Sequence, residues 1–202
     1  MEFTAWISLA SICLMGAMTP GPSLFVVLKH TVAGGRINGV LTSIAHGIGV
    51  AMYATLTVIG LAIIIESTPW LFNLIKYAGV ILLIWLAYKA LTSKSSLAKI
   101  ITQKTKVTMR ESFWEGLIIA FFNPKLAVFF LALFSQFVET QASWQQNLIM
   151  VVTVGGIDTL WYCLIAIVLS QSAILTKLKN NVHIVEKATG VALLVVAARI
   201  AF

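Results

Sequence analysis

Apolar residues arrive in six long runs, each about as long as a bilayer-crossing helix, and polar residues are confined to what lies between them. The pattern predicts helices over residues 3–33, 37–65, 71–91, 111–138, 144–170 and 184–202. Gly34-Gly35-Arg36 reads as a turn between the first two, and Glu66-Ser67-Thr68-Pro69-Trp70 as a polar turn with Trp70 at interface depth. The one long connection, residues 92–110, is polar and basic, with Lys94, Lys99, Lys104, Lys106 and Arg110.

Two of the runs cannot be unbroken. Pro20-Gly21-Pro22 interrupts the first, where the prolines remove helix donors and clash with the preceding turn. Asn123-Pro124-Lys125 interrupts the fourth in the same way. Backbone groups freed at depth find no partner in lipid, so each break must face protein or water. Both breaks lie about a dozen residues from one end of their runs, which at about 1.5 Å per residue sets them near the bilayer middle. Paired interruptions at corresponding places in two halves point to a transporter binding site.

The halves also match in their last runs. Lys76, Gly79, Val80, Leu82 and Leu83 align with Lys187, Gly190, Val191, Leu193 and Leu194, and Ala87 and Ala90 with Ala198 and Ala201. Three spans per half force the second copy upside down. The expected fold is an all-α integral membrane protein of six transmembrane helices, a 3+3 inverted repeat with broken helices one and four. Residues 1–91 form the first repeat, 92–110 a basic linker and 111–202 the inverted second repeat.

Composition settles the class. Mean hydropathy is +0.96, and charged residues make up 10% where soluble domains carry about 25%. The net charge of +7 does not signal nucleic acid, because eleven of the fourteen Lys and Arg lie in or beside the connections after runs one, three and five. Those connections are expected to be cytoplasmic, leaving both termini outside. Met1-Glu2-Phe3 carries no basic segment, so a cleaved signal peptide is not expected. Cys13 and Cys163, each inside an apolar run, read as packing residues.

The candidate chemistry gathers at the breaks. After Pro22 the amides of Ser23, Leu24 and Phe25 open a half-helix, as do those of Lys125, Leu126 and Ala127 after Pro124. Free amides at a helix N-terminus suit a carboxylate. Asp158 and Lys125 are the charges nearest mid-membrane, where an ionisable group is paired or lines a polar path. They are expected to face one cavity, either as a structural ion pair or with Asp158 taking an ammonium or a proton and Lys125 a carboxylate. Ser23 and Asn123 can cap the breaks or bind ligand. The candidate binding residues are therefore Pro20, Gly21, Pro22, Ser23, Asn123, Pro124, Lys125 and Asp158. His46 reads as hydrogen-bonded packing rather than a proton relay, and Glu111 and Glu115 as helix-N-terminal carboxylates without a role in transport. No phosphate-binding loop, dinucleotide glycine pattern or metal-spaced cluster is present, so no cofactor and no metal is expected and movement must draw on a gradient.

Met18-Thr19-Pro20-Gly21-Pro22, Gly116-Leu117 through Asn123-Pro124-Lys125 to Ala127-Val128-Phe129-Phe130, and Leu133–Val138 resemble the LysE/RhtB family of bacterial amino-acid exporters. The resemblance covers nearly the whole chain. Ser135 stands where many relatives have Pro, and Ser23 where many have Asn. It implies export of amino acids or close derivatives across the bacterial inner membrane in exchange for protons, with the lipid bilayer as surroundings. The ammonium would go to Asp158 and the carboxylate to the half-helix amides; a single clear Asp favours neutral substrates. A metal or inorganic-ion exporter is the nearest alternative, and would need more carboxylates, His or thiolates than Asp158 alone. A thiol-redox conduit would need paired Cys at the breaks. The sequence leaves open whether the protein works alone or as a homo-oligomer.

Overall fold

A computed structural model describes residues 1–19, 21–92, 107–138 and 142–170, with residues 184, 187–188, 190–191, 194–195 and 197–198 of the last run. Pro20 and most of the basic 92–110 connection lie outside the described residues. The described chain is all-α: α1 Phe3–Met18, α2 Pro22–Ser67, α3 Pro69–Thr92, α4 Met109–Phe122, α5 Pro124–Phe134 and α6 Trp144–Leu169. The described positions of the last run are helical as well.

Both expected breaks are present. α1 ends at Met18, and α2 starts with Pro22 in its first turn, where a missing N–H costs nothing. α4 ends at Phe122, extended Asn123 intervenes, and α5 starts with Pro124; the two helices are bent by 55°. The polar turn expected over residues 66–70 is shorter than its composition suggests, because α2 runs on to Ser67 and only Thr68 is non-helical before α3.

α2 is a hairpin. Gly35, at φ 81°, is the one described residue with positive φ, a conformation that costs any side chain. It divides the helix into rods 22–34 and 36–67. Ser23 lies twelve residues before it and His46 eleven after, and their side chains touch at 2.8 Å. An unbroken helix would separate them by about 34 Å.

Among the described residues, Pro22–Ile64 and Trp144–Leu169 are long and apolar enough to cross a membrane, and the bent pair α4–α5 makes a third. Rod 36–67 shows the inverted polarity that lipid requires. Ile44, Ile48, Met52, Leu56, Ile59 and Ile63 are exposed on one face, while Asn38, Thr42, Ser43 and His46 are buried. Thr42 and Ser43 satisfy their hydroxyls on the carbonyls of Asn38 and Gly39, each at 2.8 Å.

α2 packs on α4 and α6, α1 on α6, and α3 on α5. The main apolar core joins α1, rod 36–67, α5 and the first half of α6, through Leu9, Ile12, Val50, Phe130, Phe134 and Met150. A smaller core joins Leu24, Val27 and Leu28 to Tyr162, Ala166 and Leu169. On α6, Val154 belongs to the first and Tyr162 to the second, with Asp158 one turn from each. A polar layer therefore separates two dry ones.

Candidate functional site

The site is assembled where four segments converge: both breaks, the middle of rod 36–67 and the middle of α6. Close helix approach makes this geometry. A Cβ on Gly47 would collide with the Thr159 hydroxyl and lie 3.1 Å from the Gly155 carbonyl, so rod 36–67 and α6 touch almost backbone to backbone. That seam brings the neighbouring His46 onto Asp158. Nδ1 of His46 stands 2.6 Å from Oδ2 of Asp158, and Nε2 stands 2.8 Å from Oγ of Ser23. Tyr162 meets the His46 ring edge-on at 5.2 Å.

Ser23 continues the chain of contacts. Its Oγ accepts from Nδ2 of Asn123 at 2.9 Å, and Oδ1 of Asn123 accepts from the Lys125 amide at 3.0 Å. One Asn side chain thus caps α5 and joins the two breaks. The resulting line, Asp158–His46–Ser23–Asn123, is buried throughout, with His46 at 0% exposure. Inside a low-dielectric interior such a network is sensitive to the loss of any member.

Lys125 does not pair with Asp158 as a direct ion pair. Its ammonium donates to the carbonyls of Gly16, at 3.2 Å, and Thr19, at 2.8 Å, the negative end of α1. The carboxylate instead takes the imidazole, which α6 and rod 36–67 bring closer. Both Lys125 and Asp158 nevertheless line one cavity, with Cys13, Ser23, Phe129 and Tyr162 among its walls. Its volume is about 20 Å³, room for about one water. An organic solute cannot enter without movement.

The other expected residues fall as follows. Gly21 faces Lys125, whose Cδ lies 3.3 Å from where a Cβ would stand. Pro22 is exposed and shapes the break rather than lining the cavity. Pro124 opens α5, and Pro20 lies outside the described residues. Fewer amides are free than the sequence suggests: those of Phe25 and Ala127 bond the carbonyls of Gly21 and Asn123, and that of Lys125 is capped. Ser23 and Leu24 remain as the first amides of α2, whose N-cap Gly21 has no side chain to offer.

His46 is buried and hydrogen-bonded, as its place in an apolar run suggested. What the sequence did not give was its partners, which make it the link between Asp158 and the first break. A signal was present: His46 and Ser23 are nearly equidistant from the Gly35 turn, so a hairpin must bring them level. Glu111 forms the capping box expected of a first-turn carboxylate, with its side chain on the Thr108 amide at 2.7 Å. Glu115 does more, reaching Lys29 and His30 on α2.

A family profile described as LysE type translocator matches residues 14–202. The leucine efflux proteins of Salmonella choleraesuis and Salmonella typhimurium are each 35% identical to the chain over 129 residues, and that of Klebsiella pneumoniae subsp. pneumoniae is 33% identical. The match covers 62% of this chain and 59% of each relative, so the chain spans about three-fifths of the curated relatives it matches. No solved structure matches.

Proposed function

The chain belongs to the LysE type translocator family, and from that premise we propose that it exports amino acids, apolar ones such as leucine foremost, in exchange for protons. The observation that carries this reading is the buried line Asp158–His46–Ser23–Asn123, which ties both broken helices to one titratable pair. The fold is read as six spans in a 3+3 inverted repeat: α1 with rod 22–34, rod 36–67, α3, α4 with α5, α6 and the last run. The basic connections lie in the cytoplasm of a bacterium, with both termini outside its inner membrane.

A zwitterion suits the groups on offer. The amides of Ser23 and Leu24 begin a half-helix, and the Lys125 ammonium stands at the same break, so a carboxylate is favoured there. Asp158 supplies the opposite charge for an ammonium. Leu126, Phe129, Phe130 and Val154 give the rest of the wall an apolar surface, which fits an apolar side chain. The coupling follows from competition. A proton on the Asp158–His46 pair and an ammonium beside it cannot both be accommodated, so each displaces the other and the two travel in opposite directions.

The closed cavity is one state of a cycle in which rods at the breaks move apart to admit substrate. The test is efflux of labelled leucine from loaded vesicles under an imposed pH gradient. Asp158→Asn is expected to reduce efflux to background with unchanged protein in the membrane. Undiminished efflux by that variant would refute the site.

A further inference from the structure

A second polar network lies between the central site and the Gly35 turn, and its links repeat the first in kind: carboxylate, imidazole, hydroxyl, amide. Oε2 of Glu115 stands 3.0 Å from Nε2 of His30, and Nδ1 of His30 stands 2.8 Å from Oγ of Ser112. Asn38 donates to the same Ser112 oxygen at 3.0 Å. The Lys29 ammonium donates to both Glu115 oxygens, at 2.9 and 2.7 Å. The His30 side chain is fully buried, whereas those of Lys29 and Glu115 are 40% and 42% exposed. The boundary between wet and dry therefore runs through the Glu115 carboxylate.

The rods that meet there are held in different ways. Rod 36–67 sits against α4 with backbone contact, since a Cβ on Gly116 would run into the Thr42 carbonyl, and against α6 at Gly47. Rod 22–34 meets α4 through Lys29 and His30, and its apolar face belongs to the smaller core rather than the main one. Non-helical residues bound it on both sides, Gly21 at φ −174° and Gly35 at φ 81°. A short rod with a joint at each end, only a small core shared with α6 and a polar latch to α4 can turn as a unit.

We infer that rod 22–34 is the gate between the central site and the Gly35 end, and that Glu115 is its latch: Lys29 and His30 must leave the carboxylate for a substrate to pass. This rests on the transport reading above. A half-exposed ion pair is weak and readily remade, as a contact broken in every cycle must be. Once Lys29 and His30 withdraw, the polar groups of Ser112 and Asn38 remain to line the passage. Lys29, His30 and Glu115 are thus positioning residues for transport, distinct from the groups that hold the solute.

Cys13 lines the central cavity, and the chain has two cysteines, so a Cys163→Ser background leaves it as a lone reporter. A small methanethiosulfonate applied from the Gly35 face of vesicles measures how often the gate opens. Glu115→Gln is expected to raise the rate of Cys13 modification by up to about fivefold, the range an exposed ion pair supplies, and Glu115→Asp to return it toward the starting rate. Equal rates in all three proteins would overturn the latch. In a separate Cys13→Ser, Cys163→Ser background, Lys29→Cys and Glu115→Cys can be bridged with a short bis-methanethiosulfonate. Leucine efflux should stop when bridged and return on reduction; undiminished efflux by bridged protein would also overturn the latch. If the double-cysteine protein is inactive when reduced, the Cys13 rates decide alone. Asp158→Asn separates the two readings. Normal efflux by that variant with a blocking bridge sinks the central site and keeps the gate, while the reverse pair of results sinks the gate alone.

Discussion

Nδ1 of His46 lies 2.6 Å from the carboxylate of Asp158, across 112 positions of sequence and with both side chains buried. The imidazole uses its other nitrogen on Ser23, so one ring connects α6 to the first helix break. Ser, His and Asp stand here in the order that hydrolases use. The serine oxygen, however, also accepts from Asn123, and the space beside it holds about one water.

His46→Gln removes the imidazole while keeping polar atoms near Asp158 and Ser23. Leaving a buried polar partner unsatisfied costs about 1–3 kcal/mol, so leucine efflux driven by a pH gradient should fall by about tenfold. Leucine exchange without a pH gradient should fall less. Equal losses in both assays would remove His46 from the coupling step.

Asn123 serves two acceptor and donor partners at once. Asn123→Ala would strand the Lys125 amide and loosen Ser23, costing about 1 kcal/mol for the cap alone. Asn123→Asp keeps an oxygen for the cap but cannot donate to Ser23. Thermal unfolding in detergent should therefore rank wild type above both variants, with efflux impaired in each. A fully active Asn123→Asp protein would show that the Ser23 link is dispensable.

Gly47→Ala drives a methyl group into Thr159 and toward the Gly155 carbonyl. Overpacking of this kind costs about 1–3 kcal/mol, and it should also part His46 from Asp158, reducing efflux more than stability. Gly60 provides the control, because a Cβ there meets nothing within 4 Å. Gly60→Ala should gain up to about 1 kcal/mol from helix propensity and leave efflux unchanged. Equal behaviour of the two variants would contradict the seam.

Gly35→Ala places a side chain at φ 81°, which costs about 1–2 kcal/mol. Gly35→Asn should cost less, since Asn tolerates the left-handed region. The expected order of melting temperatures is Gly, Asn, Ala. An Ala variant as stable as wild type would mean that the hairpin turns elsewhere.

The sequence made the joints of the fold visible. Pro22 and Pro124 announce helix starts because a proline has no N–H to give and fixes its own φ, which is a property of one residue and its nearest neighbours. Gly34-Gly35 announced the hairpin for a similar local reason. The inside-out polarity of residues 36–67 was legible only in part: the run was plainly apolar, and His46 in it had to be hydrogen-bonded, but neither of its partners is near it in the chain. Glu115 was hidden differently, since a carboxylate in the second turn of a helix already has a local explanation.

What the chain by itself determined was where its helices break, that they belong in a bilayer, and that Ser23, Asn123 and Lys125 stand at the breaks. These follow from covalent geometry and from the exclusion of charge from hydrocarbon, and both act residue by residue. The choice of partner was left to the tertiary structure. Asp158 took His46 rather than Lys125 because glycine at position 47 lets rod 36–67 approach α6, while the carbonyls ending α1 claimed the ammonium. Such a choice depends on how closely two distant helices can pack, and no stretch of sequence carries that distance.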